Sequence, residues 1–405
     1  MKNIRFILII VLCFMSCGEK RGLIESLMRD SGKFGQILHD PGKYKLQIIY
    51  TQIDRNPDNT PTFITHRFRV NPREYFYPAS TVKLPMAALA LEKINQLSIP
   101  GLTATADMVI DSVFDWQHKV TGDTTSANGK ASIAHSIRKI LFVSDNEAFN
   151  MLYEFVGQAE ANQSLHDKGY KNTLITHRLS IPLTLDQNRI TARVRFFKND
   201  TLVYSQEATE NSVRLSGETP KLIGKGYYQG DALVQQPMDF RDKNELGLED
   251  FHNMLKAILF PEAVDQTQRF QLTHDDYRLL YRGMYQFPKE SGIAAYDHYD
   301  DAYCKFFMYG GSGAADATIR VLNKVGEAYG FLIDMAYIVD FDKKIEFILG
   351  AVIYVNEDEI LNDDNYDYER VGFPFFKDLG RVFYEYEMNR TRKNIPDLST
   401  FKPEP

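Results

Sequence analysis

The sequence predicts an α/β protein in which an antiparallel sheet, assembled from both ends of the chain, packs against helices that include a helical subdomain. Three observations predict it. Strand-like runs rich in β-branched and aromatic residues stand at both ends: "KYKLQIIYTQI" and "TFITHRFRV" early, then "TIRVLNKVG", "FLIDMAYIVDF" and "KIEFILGAVIYV" late. Between them, apolar residues recur at the three- and four-residue spacing of helices. The late strands are separated only by short turns at Gly330 and at Asp342-Lys343, which suit antiparallel neighbours and cannot carry a parallel crossover.

The elements follow in order. "GLIESLMRD" reads as a short helix, and the turn-rich "DRNPDNTP" joins the two early strands into a hairpin. Helical pattern runs from Ser80 to Leu97 and through "SIAHSIRKILFV", "NEAFNMLYEFVG" and "AEANQSLHDKGY". Between Asp186 and Asn244 the character changes. There "ITARVRFFKNDTLVYSQE" reads as a hairpin turning at Lys198-Asn199-Asp200, and "SGETPKLIGKGYYQGD" reads as loop. Helices resume in "LEDFHNMLKAILF" and in "THDDYRLLYRGMYQF", where Thr273 with Asp276 forms an N-terminal cap. A last helix, about Phe373 to Arg392, precedes the polar "NIPDLSTFKPEP". The expected division is 1–16 signal peptide, 18–44 linker and helix, 45–392 main domain with an insertion about 186–246, and 393–405 tail.

Composition narrows the function. With 405 residues, 44% hydrophobic and 13% aromatic, the chain can bury a large core and is neither fibrous nor disordered. A net charge of −7 and the lack of a long basic run argue against a nucleic-acid partner. The opening "MKNIRFILIIVLCFMSC" places Lys2 and Arg5 before an apolar run, then Ser16 and Cys17, a secretory pattern too short for a comfortable membrane span. It resembles a bacterial lipoprotein signal, which implies export, lipidation of Cys17 and a membrane tether. Of the three cysteines, Cys13 would be cleaved off and Cys304 left alone, a half-buried small apolar residue with no disulfide partner in the chain. The nine histidines show no metal-ligand spacing such as His-Glu-x-x-His, so a zinc hydrolase is disfavoured; no metal or organic cofactor is implied.

The chemistry-bearing residues begin with "YPASTVKLPMAALAL". A serine hydroxyl is a poor nucleophile until a base takes its proton, and a lysine one helical turn on can be that base if burial or a nearby cation lowers its pKa. Ser80 and Lys83 are spaced for this, at i and i+3 on one helix face. Ser80 could instead be a helix cap, since Ser-x-x-Lys alone arises by chance. Pro78 fixes the entry to this helix, and Pro85 falls in its second turn, where its missing N–H removes a hydrogen bond. "FVSDNEAF" adds Ser144-Asp145-Asn146 between two helices, either a cap or a hydroxyl and an amide entering the same cleft. "LNKVGEAYG" puts Lys324-Val325-Gly326 on a strand, where Gly326 leaves room for a substrate backbone. "GGSGA" around Ser312 lacks the second glycine of a nucleophile elbow and reads as a turn.

Ser-x-x-Lys, then Ser-Asp-Asn, then Lys-Thr-Gly on a late strand is the signature of class A serine β-lactamases and penicillin-binding proteins, and this chain resembles them with the third motif as Lys-Val-Gly. The resemblance covers most of residues 45–356 and implies the β-lactamase/transpeptidase-like fold. By position it implies that Ser80 is acylated, Lys83 exchanges its proton, and Ser144 relays a proton to the leaving nitrogen. Asn146 would hold the substrate amide and Lys324 attract a carboxylate, with Gly326 beside it. The backbone N–H groups of Ser80 and Glu327 would form the oxyanion hole. The implied substrate is a β-lactam or a peptidoglycan-peptide-like amide, processed by a hydrolase or by a penicillin-inhibited cell-wall peptidase. A non-catalytic binding protein that keeps the cleft is the alternative from another class. Two departures matter. Val325 removes a hydroxyl that family members use to bind a carboxylate. The loop that should carry a deacylating glutamate in a Glu-x-x-Leu-Asn pattern, residues 174–194, contains none, leaving Asp186 and His177 as candidate bases and slow deacylation as the consequence.

Overall fold

The computed structural model describes residues 21–402; the signal segment and Cys17 lie outside them. Five antiparallel strands form the main sheet in the order Ile319–Ala328, Phe331–Asp340, Ile345–Tyr354, Gln47–Arg55, Pro61–Phe68. The two ends of the chain meet where Gln47 pairs with Val352 and Gln52 with Phe347. Both faces of the sheet are covered. Ile333, Met335, Tyr337 and Val339 point into the larger core, under the helical block, while Leu332, Ala336 and Ile338 point into a second core, under the helices Leu23–Asp30 and Phe373–Asn389. That is why "FLIDMAYIVD" is apolar almost without alternation, a pattern more usual in parallel sheets. The single helical layer expected from sequence is therefore accompanied by a second one on the opposite face.

The helix Lys83–Leu97 runs through the larger core and is buried nearly all round, as its "LPMAALAL" requires. Its buried Glu92 is paired with Lys168 at 2.7 Å. The helices Ile133–Val143, Asn146–Val156, Leu248–Leu259 and His274–Tyr285 form where the apolar spacing puts them, the last with a reciprocal Thr273–Asp276 capping box.

The insertion is more structured than its sequence suggests. Its hairpin, Arg193–Lys198 and Thr201–Gln206, turns through Asn199 and Asp200, both in the left-handed region that a two-residue hairpin loop demands. It pairs with Asp107–Asp111 to make a three-stranded sheet. The stretch expected to be loop holds two short strands, Leu222–Ile223 and Gly226–Gln229, paired to Met238–Asp239, Ala232–Val234 and Ile360–Leu361. After the final helix, Leu398 and Phe401 turn back into the larger core.

Candidate active site

The turn that carries Ser80 is set by its neighbours. Residues Ala79–Val82 form a 3-10 turn that becomes α-helix at Lys83. This puts Pro85 in the first α turn, where N–H groups lack intrahelical partners, so the hydrogen-bond loss expected of it is largely avoided. Ala79 holds φ +49°, a strained conformation for an alanine. The strand Ile319–Ala328 packs directly on this turn. A Cβ at Gly326 would lie 2.5 Å from the Pro78 carbonyl oxygen and 3.0 Å from Thr81 Cγ2. The space beside Gly326 is thus filled by the chain itself, rather than left for a substrate backbone. Ser80 is half-buried, caps neither the turn nor the helix, and its hydroxyl makes no hydrogen bond among the described residues. The cap reading fails, and an unengaged hydroxyl faces the cleft.

Three motifs converge beside it. Lys83 is fully buried; its Nζ donates to Asn146 Oδ1 at 2.6 Å, to Ser144 Oγ at 3.4 Å and to the Ser144 carbonyl. Burial, reinforced by Lys324, pushes its pKa well below the ordinary lysine value, against a smaller pull from Asp145. Lys324 donates to Ser144 Oγ at 2.8 Å and to the Val325 carbonyl at 2.8 Å, and burial lowers it to about 8. Two ammonium or amine donors therefore address one hydroxyl. Ser144 accepts from both, and its own proton has no acceptor among the described residues. Ser144 can do this because it sits in the left-handed conformation at the end of Ile133–Val143, while Asp145 takes the capping duty and accepts from the Ala148 N–H at 2.7 Å.

The loop after residue 173 is held by side-chain amides. Asn162 brackets Ile175, Asn244 brackets Thr176 and His177, and Asn150 brackets Leu179. Arg178 is paired with the buried Glu154 at 2.8 Å, and Glu154 also accepts the Ala192 N–H, so that carboxylate is fully engaged. Neither expected base is hydrogen-bonded to Ser80 among the described residues. Asp186 is exposed and paired with Arg189 at 3.1 Å. His177 stacks beneath Tyr77, its Nδ1 faces the Arg178 carbonyl, and burial lowers it to about 4. What the loop presents instead is Ser180, whose Oγ accepts from Asn146 Nδ2 at 2.7 Å. The only trace of it in the sequence is Leu183, three residues after Ser180, since serine and threonine stand where the Glu-x-x-Leu-Asn pattern has glutamate and asparagine.

These groups open on a cleft of about 550 Å³ that Ser80 lines together with Tyr77, Asn146, Ser180, Glu327, Tyr329 and Asp364. On the far side of Asn146 an apolar pocket of about 340 Å³ is walled by Ile110, Trp116, Val120, Met151 and Leu183. Among the described residues no cluster of His, Cys, Asp or Glu is arranged to hold a metal. Cys304 is more buried than its sequence suggests, and burial raises its thiol pKa. No described helix is long and apolar enough to cross a membrane.

The family described as the beta-lactamase enzyme family matches residues 43–371. None of the curated proteins matches the chain. Among solved structures, the class A β-lactamase from Clostridium kluyveri is 15% identical, with a TM-score of 0.48 over 89% of this chain and 98% of that one. The β-lactamase from Streptomyces albus G is 13% identical, with a TM-score of 0.48 over 89% and 99%. The β-lactamase from Desulfarculus baarsii is 14% identical, with a TM-score of 0.49 over 90% and 99%.

Proposed function

The chain belongs to the beta-lactamase enzyme family, and from that premise we propose that Ser80 is acylated by a β-lactam or a related amide and released slowly. Lys83, as a neutral amine, takes the Ser80 proton while Oγ attacks the carbonyl carbon. The N–H groups of Ser80 and Glu327 receive the oxyanion. Ser144 then donates its proton to the leaving nitrogen as the C–N bond breaks, and is re-protonated through Lys83. The observation that carries this reading is the buried, depressed Lys83 hydrogen-bonded to Ser144 and Asn146. Hydrolysis of the ester needs a base for water, and a serine hydroxyl at Ser180 is too weak an acceptor to supply one. That favours, as the second reading, a penicillin-inhibited cell-wall peptidase. A pure binding module has no use for Ser80, Lys83, Ser144, Asn146 and Lys324 together.

The test is a time course with a fluorescent penicillin, with Ser80→Ala alongside. The reading expects a Ser80-dependent adduct that persists, and Ser180→Glu to shorten its lifetime by about tenfold or more. An adduct that clears within minutes in the unaltered protein contradicts slow release; absence of any adduct contradicts acylation by penicillins. The same reading places the enzyme outside the cytoplasm, tethered through Cys17. A Cys17→Ala protein that stays in the membrane fraction contradicts that tether.

A further inference from the structure

One wall of the cleft is acidic and aromatic. From Glu357 to Arg370 the chain carries seven carboxylates and one basic residue. Arg370 pairs with Glu357 and Asp367, and Glu359 pairs with Lys225 of the insertion. Glu327 and Asp364, which line the cleft with Ser80, have no ion pair or hydrogen bond from their side chains among the described residues. Glu327 lies two residues beyond Val325 on the strand Ile319–Ala328; Val325 is buried in the second core, whereas Glu327 lines the cleft. Where the family resemblance expects a hydroxyl for a substrate carboxylate, this chain therefore has an aliphatic side chain followed by a free carboxylate. Desolvation in the cleft and the neighbouring Glu369 both raise the pKa of Glu327, a sign that no cation of the protein satisfies it.

The rings of the same wall point to a ligand independently. Tyr77 is only 5% exposed, yet its hydroxyl has no partner among the described residues and opens on the cleft. Tyr329 holds φ +53° at the tip of the hairpin between Ala328 and Phe331, a strained position for a bulky side chain. It is fixed edge-on against Tyr77 and Phe240, both at 5.1 Å. Aromatic faces beside unpaired carboxylates are the recognition chemistry of an organic cation.

We propose that the cleft selects an amide or ester carrying an ammonium or guanidinium group, held by the carboxylates of Glu327 and Asp364 against Tyr77 and Tyr329. The proposal rests on Ser80 being the site of attack but does not need turnover to be tested. Lys83 and Lys324 are buried on Ser144, and Lys83 also on Asn146, which lines the cleft, so a ligand cation is drawn away from that side toward the carboxylates and orients the scissile carbonyl toward Ser80.

The experiment compares matched ligands that differ in one charge: an Nα-acetyl-lysyl thioester with its Nε-acetylated counterpart, and a peptide amide pair bearing the same two groups on the leaving side. Equilibrium binding is measured on full-length Ser80→Ala protein, where no acylation can occur, and acylation on the unaltered protein. At least one pair is expected to favour the free amine by roughly tenfold at low salt. That preference is expected to fall toward unity in Glu327→Gln and Asp364→Asn, read as the ratio within each variant. Equal binding of charged and acetylated forms in both pairs, or preference for the acetylated form, overturns the cation proposal even if Ser80 is acylated. Preferential binding without any acylation upholds it and counts against the reaction on Ser80 alone.

Discussion

Lys83 and Lys305 are both fully buried lysines with depressed pKa values, and only Lys83 meets a serine hydroxyl. Lys305 donates to the Met284 and Val321 carbonyls, both at 2.7 Å, and to Asn323 Oδ1 at 2.8 Å. Asn323 passes the network to Asp334, which accepts the Phe306 and Phe307 N–H groups, so every partner is protein and the site is sealed. Burial lowers Lys305 to about 8 and raises Asp334 to about 6. Lys83 shares the burial but ends on a serine hydroxyl beside an open cleft, with a second lysine as its electrostatic neighbour. Depressed pKa alone does not mark a catalytic base; access to a transferable proton does.

The largest effect that can break this comparison is at Lys83. Lys83→Arg keeps a cation that cannot deprotonate, and single-turnover acylation is expected to fall by about a thousandfold with the fold intact by circular dichroism. Lys305→Met strips three acceptors and leaves Asp334 uncompensated. Denaturant titration is expected to show a loss of about 3 kcal/mol, with the acylation rate of the folded fraction within about twofold of the original. If Lys305→Met abolished acylation in folded protein, the two lysines would belong to one machine. Gly326→Ala drives a methyl into Pro78 and should cost about 2 kcal/mol while displacing the Ser80 turn, so stability and acylation fall together.

The smallest effect is a pH slope. Lys305 has a folded pKa of about 8 against an ordinary 10.5, so between those values the unfolded chain binds more protons and stability rises with pH. Lys324 adds to the same window. Lys305→Met is expected to flatten the slope of unfolding free energy between pH 8 and 10.5 without removing it; an unchanged slope contradicts the assignment.

The motifs that build the nucleophile site were legible because each is local. Ser80 and Lys83 lie one turn apart, Ser144 and Asn146 flank a helix start, and Lys324 sits on a strand whose apolar pattern is plain. The order of strands was legible because short turns leave few alternatives. What escaped depends on distant partners. "DMVID" at Asp107–Asp111 is too short to assign until Arg193–Lys198 pairs with it, and Leu222–Ile223 is a strand only because Met238–Asp239 lies beside it. Ser180 is not legible because the loop pattern points to a carboxylate, whereas its place is defined by the hydrogen bond to Asn146. The free carboxylate of Glu327 and the strained Tyr329 become visible only when the cleft is assembled.

The most direct test of the account is the titration of the Lys83 side chain itself, by nitrogen NMR of lysine-labelled protein, with Lys83→Arg to assign the signal. The account predicts a midpoint well below 10.5, with the acylation rate rising over the same pH range as Lys83 loses its proton. A midpoint at or above 10.5 would mean that Lys83 stays charged at neutral pH and cannot be the base that activates Ser80.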